Sequence, residues 1–183
     1  MGIEIVEKLV RECRKCRFID KPFLTHGVYE RYRGIAIEVL VISESPPPGN
    51  KPDFLYNTGH RDRLRKVLSK YLGIEEERLL EEMRNRGVLW DMAARCRPPS
   101  KRDVVAMAMN CTSVTIAEIE ALKPRTVIAL GTVARKQLSR ALSACSYKPV
   151  EVYEERHPLY VVRFAKSEAP KYFAKLGKAM KLL

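Results

Sequence analysis

The sequence predicts an α/β fold: a three-layer α/β/α domain around a central, mainly parallel four-stranded sheet. Three observations carry this. Short β-branched runs at 39–42, 88–93 and 126–130 are apolar with little alternation, as strands buried on both faces are. Stretches of helical period separate them, and strands that alternate with helices build parallel sheets covered on both sides. The 183 residues suffice for one domain with a real core, 1–183, and are too few for two comfortable ones.

Composition narrows the function classes. Hydrophobic residues make up 46% of the chain, so it folds rather than staying disordered. No apolar run reaches the roughly eighteen residues that span a bilayer, and the first residues lack the basic start of a signal peptide. The expectation is a cytoplasmic protein without a membrane partner. The formal net charge of +12 points to a polyanion, most simply nucleic acid, or else to a solvated basic surface.

Taken in order, residues 3–12 read as a short amphipathic helix with Ile3, Val6, Leu9 and Val10 on one face, running into Cys13-Arg14-Lys15-Cys16. Residues 17–34, with Pro22, Gly27 and Gly34, read as a connecting loop, and the first strand follows at about 35–43. It ends at Ser43-Glu44-Ser45-Pro46-Pro47-Pro48, because proline cannot donate to a sheet ladder. A carboxylate, Glu44, is thereby held at the carboxyl edge of a central strand, where open α/β sheets bind ligands; capping the strand towards solvent is the alternative. Phe54 and Tyr56 stand in the polar loop 51–59, either to stack on a flat ligand or to plug the loop onto the core.

Residues 60–72 read as a helix closed by Gly73, and 75–86 as a second, highly charged one. The second strand is 88–93. After it, Arg95-Cys96-Arg97-Pro98-Pro99-Ser100-Lys101-Arg102 forms a rigid basic loop, followed by a helix that carries Cys111 and ends near Leu122. The third strand is 126–130, a helix opened by Gly131-Thr132 runs to about 142, and the fourth strand, 150–154, is closed by Arg156-His157-Pro158. A last helix covers about 168–183. In this architecture Glu44 and His157 lie at the same sheet edge and can share one cleft.

Cys13 and Cys16 form a tight pair, whereas fourteen residues separate Cys96 from Cys111. Disulfides do not suit a reducing cytoplasm outside hyperthermophiles. Spacing alone leaves a structural zinc and an iron–sulfur cluster level. Cys145, expected within a helix, reads as a buried apolar residue.

These residues together resemble the iron–sulfur branch (families 4 and 5) of the uracil-DNA glycosylase superfamily. The cysteine layout matches, with Cys96-Arg97-Pro98-Pro99 its specific part. Ser43-Glu44-Ser45-Pro46 resembles the Gly-Glu-Ala-Pro of family 4. Lys123-Pro124 leads to Val127-Ile128-Ala129-Leu130-Gly131, and His157-Pro158 is followed by Arg163. The likeness covers essentially the whole chain. It also departs from the family. Ser43 stands where the family has Gly, Pro47 where a second Gly is common, and Leu159 where family 4 has Ser. Met92, with Asp91 beside it, stands where the family has an Asn that reads uracil. The departures fall on the base pocket and the DNA-gripping loop.

The resemblance implies a monomeric DNA-repair glycosylase that removes uracil or another deaminated base from single-stranded, mismatched or damaged DNA. It also implies a [4Fe-4S] cluster, rather than zinc, held by Cys13, Cys16, Cys96 and Cys111. Glu44 would orient water and stabilise the cationic sugar, and His157 would donate to the departing base. Ser43, Ser45, Phe54, Tyr56, Asp91 and Met92 would surround the base. Lys101, Arg102, Tyr160 and Arg163 would hold DNA. The rival is a member of the same superfamily that binds DNA and has lost excision.

Overall fold

Four strands, Val39–Ser43 (β1), Val88–Met92 (β2), Thr126–Leu130 (β3) and Glu151–Glu155 (β4), form one sheet in the order β2-β1-β3-β4. Every neighbouring pair is parallel, with Val39 opposite Val88 and Thr126, and Thr126 opposite Glu151. The computed structural model describes residues 2–17 and 20–183. β1, β2 and β3 are buried along their whole length, which is why their sequences do not alternate. β4 does alternate, with Val152 and Glu154 facing out, as an edge strand should.

The helices are Gly2–Glu12 (α1), Pro22–Thr25 (α2), Val28–Arg31 (α3), Arg63–Leu72 (α4), Leu79–Asn85 (α5), Val104–Asn110 (α6), Thr112–Leu122 (α7), Thr132–Ala144 (α8), Pro158–Phe164 (α9) and Ala169–Ala179 (α10). α1 packs on α7, α7 on α8, and α8 on β1 and β3; α10 packs on α4 and α9. The expected three-layer α/β/α architecture is present, with a sheet that is wholly parallel. No single helix among the described residues is long and apolar enough to cross a membrane.

Local chemistry sets the element ends. Asp62 caps α4 by accepting from the Arg65 amide at 2.8 Å, and Gly73 closes it in the left-handed region at φ 68°. Before β2, Gly87 is required. A Cβ there would stand 2.4 Å from the Ala36 carbonyl, and φ is 64°.

Several expected bounds move. Within 17–34, residues 18 and 19 lie outside the described residues, but the rest is no mere connector. It forms α2 and α3 and buries Phe23, Tyr29 and Tyr32. The single helix expected through Cys111 is two, bent by 51° at that residue. Cys145 is buried, but in extended backbone just past α8 rather than within a helix. α9 was not foreseen. Pro158 at its first turn lacks only an N–H that no helix would have used.

Candidate active site at the strand ends

Three strands end around one cleft of about 600 Å³. β1 delivers Glu44 and Ser45, β3 delivers Gly131 and Thr132, and β4 delivers Arg156 and His157; Tyr160 adds a wall from α9. Glu44 and His157, 113 positions apart in sequence, therefore face the same space, at the edge where parallel sheets hold ligands.

Glu44 is exposed, and among the described residues it makes no ion pair. Its backbone is nonetheless fixed, because its carbonyl accepts from the Ala94 amide at 3.1 Å. The proline loop that follows is braced from the far side. Arg97 donates to the Pro47 carbonyl at 2.8 Å, and the Gly49 amide donates to the Pro98 carbonyl at 2.8 Å.

His157 caps α9. Its Nδ1 accepts from the Leu159 amide at 3.2 Å, so the neutral ring carries its proton on Nε2. Burial pushes its pKa down to about 4, so the imidazole is neutral at pH 7. A neutral Nε2–H can donate a hydrogen bond without surrendering a proton. An exposed carboxylate opposite such a donor is an arrangement that can stabilise positive charge on one fragment and negative charge on the other as a bond between them breaks.

The expected base-pocket residues divide. Ser45 lines the cleft. Ser43 is buried, accepting from Trp90 Nε1 at 3.0 Å and donating to the Asp91 carbonyl, so it ties β1 to β2. Phe54 is 0% exposed, edge-on to Phe23 with ring centroids 5.1 Å apart. Tyr56 is also buried; its hydroxyl donates to the Trp90 carbonyl and accepts from the Trp90 amide, each at 3.0 Å. The structure thus puts both rings in the core rather than on the cleft, because Phe23, with Tyr29 stacked on it, packs against both. Met92 is 3% exposed and packs in the core.

Asp91 is buried as well. Its Oδ1 accepts from the Met92 amide at 2.5 Å, and Oδ2 lies 3.3 Å from Arg95 Nε. Arg95 also pairs with buried Glu118 and donates to Thr115 at 2.6 Å. Burial, with the Asp91 charge beside it, pushes the Glu118 carboxyl well above the usual range, and Arg95 pulls the other way. Arg95, from the stretch that reads as a rigid basic loop, is an internal counterion.

Lys101 and Arg102 are exposed on a 3-10 turn capped by Ser100 and Asp103 and do not line the cleft. Tyr160 does, at 50% exposed. Arg163 is exposed, with its guanidinium 4.9 Å from the ring centre of Phe164. Phe164 is 63% exposed and stands 5.0 Å from Tyr160. Sequence reasoning missed Phe164, Thr132, Arg135 and Arg156. For Thr132, Arg135 and Arg156 the available signal was position, just after a strand end or one turn into the helix that follows; Phe164, the last residue of α9, carried no such signal.

Cys13, Cys16, Cys96 and Cys111 are free thiols, the last two buried. Burial pushes the Cys96 thiol up to about 12, and Cys111, Cys16 and Cys13 add to the shift. Asn110 Nδ2 approaches Cys16 Sγ at 3.7 Å. Among the described residues, no three His, Cys, Asp or Glu side chains close around a single ion position. Four cysteine sulfurs are by their chemistry a donor set suited to a thiolate-bound centre.

Residues 32–181 match the family model of the Uracil DNA glycosylase superfamily. A Type-5 uracil-DNA glycosylase of Pyrobaculum aerophilum is 34% identical over 76 residues, covering 36% of this chain and 34% of the relative. The match thus spans about a third of that relative's length.

Proposed function

The chain belongs to the uracil-DNA glycosylase superfamily, and on that premise we propose that it hydrolyses the N-glycosidic bond of uracil, or another deaminated base, flipped out of DNA. The observation that carries the reading is the pairing in one cleft of exposed Glu44 with an imidazole whose Nδ1 is already occupied.

Extruding a base takes a few kcal/mol, least in single strands or at mismatches. As the bond breaks, the sugar becomes cationic and the base anionic. Glu44 stabilises the sugar and orients the water that attacks it. His157 Nε2–H donates to the base oxygen where the negative charge appears, an interaction stronger in the transition state than in the ground state. With Phe54 and Tyr56 in the core, Tyr160 is the aromatic wall that remains on the cleft. Lys101, Arg102 and Arg163 supply cations for the DNA backbone.

We also read Cys13, Cys16, Cys96 and Cys111 as ligands of a [4Fe-4S] cluster, supported by the family resemblance and by the chemistry of four free thiols. When bound, the cluster supplies a cross-link between the end of α1 and the loop before α6. Through Arg97 that loop holds Pro47, three residues from Glu44. Iron and acid-labile sulfide in a ratio near one, lost when Cys96 is replaced, is the expected analysis; zinc in their place contradicts the assignment.

The test of function is base release from oligonucleotides carrying uracil, hypoxanthine or xanthine, in single strands and opposite each partner, with Glu44→Ala as control. Release that disappears in the variant is expected. One observation favours a second reading: buried Met92 offers no amide to read uracil. DNA binding without release of any base would establish that silent member.

A further inference from the structure

Three prolines in a row follow Glu44 and Ser45 at the end of β1. Pro46, Pro47 and Pro48 have no amide hydrogens, so this stretch cannot hold itself by backbone N–H groups. Only its carbonyls can be gripped, and the donors must come from elsewhere in the chain. The loop matters to the site, because Glu44, Ser45 and Pro48 all line the cleft with His157.

Arg97 supplies the donor. Its Nη1 donates to the Pro47 carbonyl at 2.8 Å and reaches the Asp53 carbonyl at 3.4 Å, closing the loop between them. Its Nε donates to Asp20 Oδ2 at 2.9 Å, and its own amide donates to the Asp20 carbonyl at 2.8 Å. The Arg97 side chain is only 11% exposed. It therefore joins three segments: the stretch after Cys13 and Cys16, the loop after Cys96, and the proline loop. The fixed fork of a guanidinium lets one side chain hold separate partners at set angles. Glu44 is thus anchored on both sides, at its own carbonyl by the Ala94 amide and three residues on by Arg97.

We propose that Arg97 is a positioning residue for base removal. Tethered by Asp20, it fixes Pro47 and so sets where the Glu44 carboxylate stands in the cleft. The role rests on the reading of Glu44 given above and deepens it. Arg97 acts through the loop, so its loss slows the chemistry without weakening the hold on DNA. A catalytic group misplaced by about 1 Å is enough to cost a large factor in rate.

The experiment pairs amide hydrogen exchange with single-turnover uracil release by the full chain, for the wild type, Arg97→Met, Asp20→Ala and Asp20→Asn. Each is checked by thermal melting and for metal content equal to the wild type. Gly49 supplies the reporting amide, since the prolines have none and its N–H donates to the Pro98 carbonyl. In Arg97→Met that amide should exchange about tenfold faster, release should fall about 10–100-fold, and affinity for an oligonucleotide with an abasic-site analogue should stay within about twofold. The Asp20 side chain is 55% exposed, so Asp20→Ala should fold and show the same pattern more weakly. Asp20→Asn keeps an acceptor for Arg97 Nε and should restore wild-type behaviour. Unchanged exchange at Gly49 in Arg97→Met, or a loss of release matched by an equal loss of affinity, overturns the proposal. If Arg97→Met fails either check, the Asp20 pair decides by the same criteria. Exchange needs no substrate. A wild type that releases no base, with Gly49 loosened in Arg97→Met, supports the clamp on the loop and overturns the reading of function alone.

Discussion

Glu44 and Asp91 sit at the carboxyl ends of neighbouring strands, yet their fates are opposite. Glu44 follows β1, is exposed and makes no ion pair among the described residues. Asp91 lies in β2, opposite Ile42, is 0% exposed and shares Arg95 with Glu118. The same side-chain chemistry at the same sheet edge becomes a candidate catalyst at one strand and an internal strut at the next. The layer above decides which. Over β2, the loop through Arg95 and helices α7 and α8 close down. Gln137 donates to the Ala93 and Ala108 carbonyls at 2.6 and 2.5 Å, and Arg95 supplies the counterion. Over β1, the prolines turn the chain away and leave the carboxylate open.

This contrast can be broken from the buried side first, where the effect should be largest. Arg95→Met removes the counterion and leaves Asp91 buried, so stability in urea should fall by about 3–5 kcal/mol. A loss under 1 kcal/mol would mean the cluster is not the strut described.

On the open side, His157→Ala should cost about 0.5–2 kcal/mol of stability in urea, as loss of a helix cap does, and slow base release about 10²–10³-fold, as loss of a transition-state donor does. The pH dependence sharpens the assignment. Because burial lowers the folded pKa of His157 to about 4, the neutral, donating ring persists as the pH falls through 6.5, where an ordinary histidine would charge. The assigned His157 imidazole NMR shifts should titrate near pH 4 and show no step near 6.5. The unfolded chain takes up this proton first, so the residue's contribution to stability declines as the pH drops from about 6.5 to 4.

The smallest effect is expected at the rim. Phe164→Ala should weaken single-stranded DNA binding by about 1–3 kcal/mol if its exposed ring stacks on a base, with no change in the melting temperature. Unchanged affinity would leave that ring without a role in binding.

How far the sequence could be read follows the same division. β3 was legible to the residue, and Glu44 and His157 could be matched because strand order alone brings them to one edge. What failed was whatever tertiary packing overrides. Phe54 and Tyr56 look like loop aromatics until Phe23, from a stretch that read as a connector, packs against them with Tyr29 stacked behind it. Asp91 looks like a pocket residue until Arg95 and Glu118 arrive from elsewhere in the chain. α9 stayed hidden because seven residues after a proline carry too little periodicity to separate from a turn.

The central claim is that the carboxylate on β1, and not the one on β2, serves the chemistry. It is tested most directly by single-turnover uracil release from single-stranded DNA by the wild type, Glu44→Gln and Asp91→Asn, each checked for folding. The account predicts release that falls at least 10²-fold in Glu44→Gln and stays within a few-fold of wild type in folded Asp91→Asn. Full activity in Glu44→Gln, with loss in folded Asp91→Asn, would contradict it.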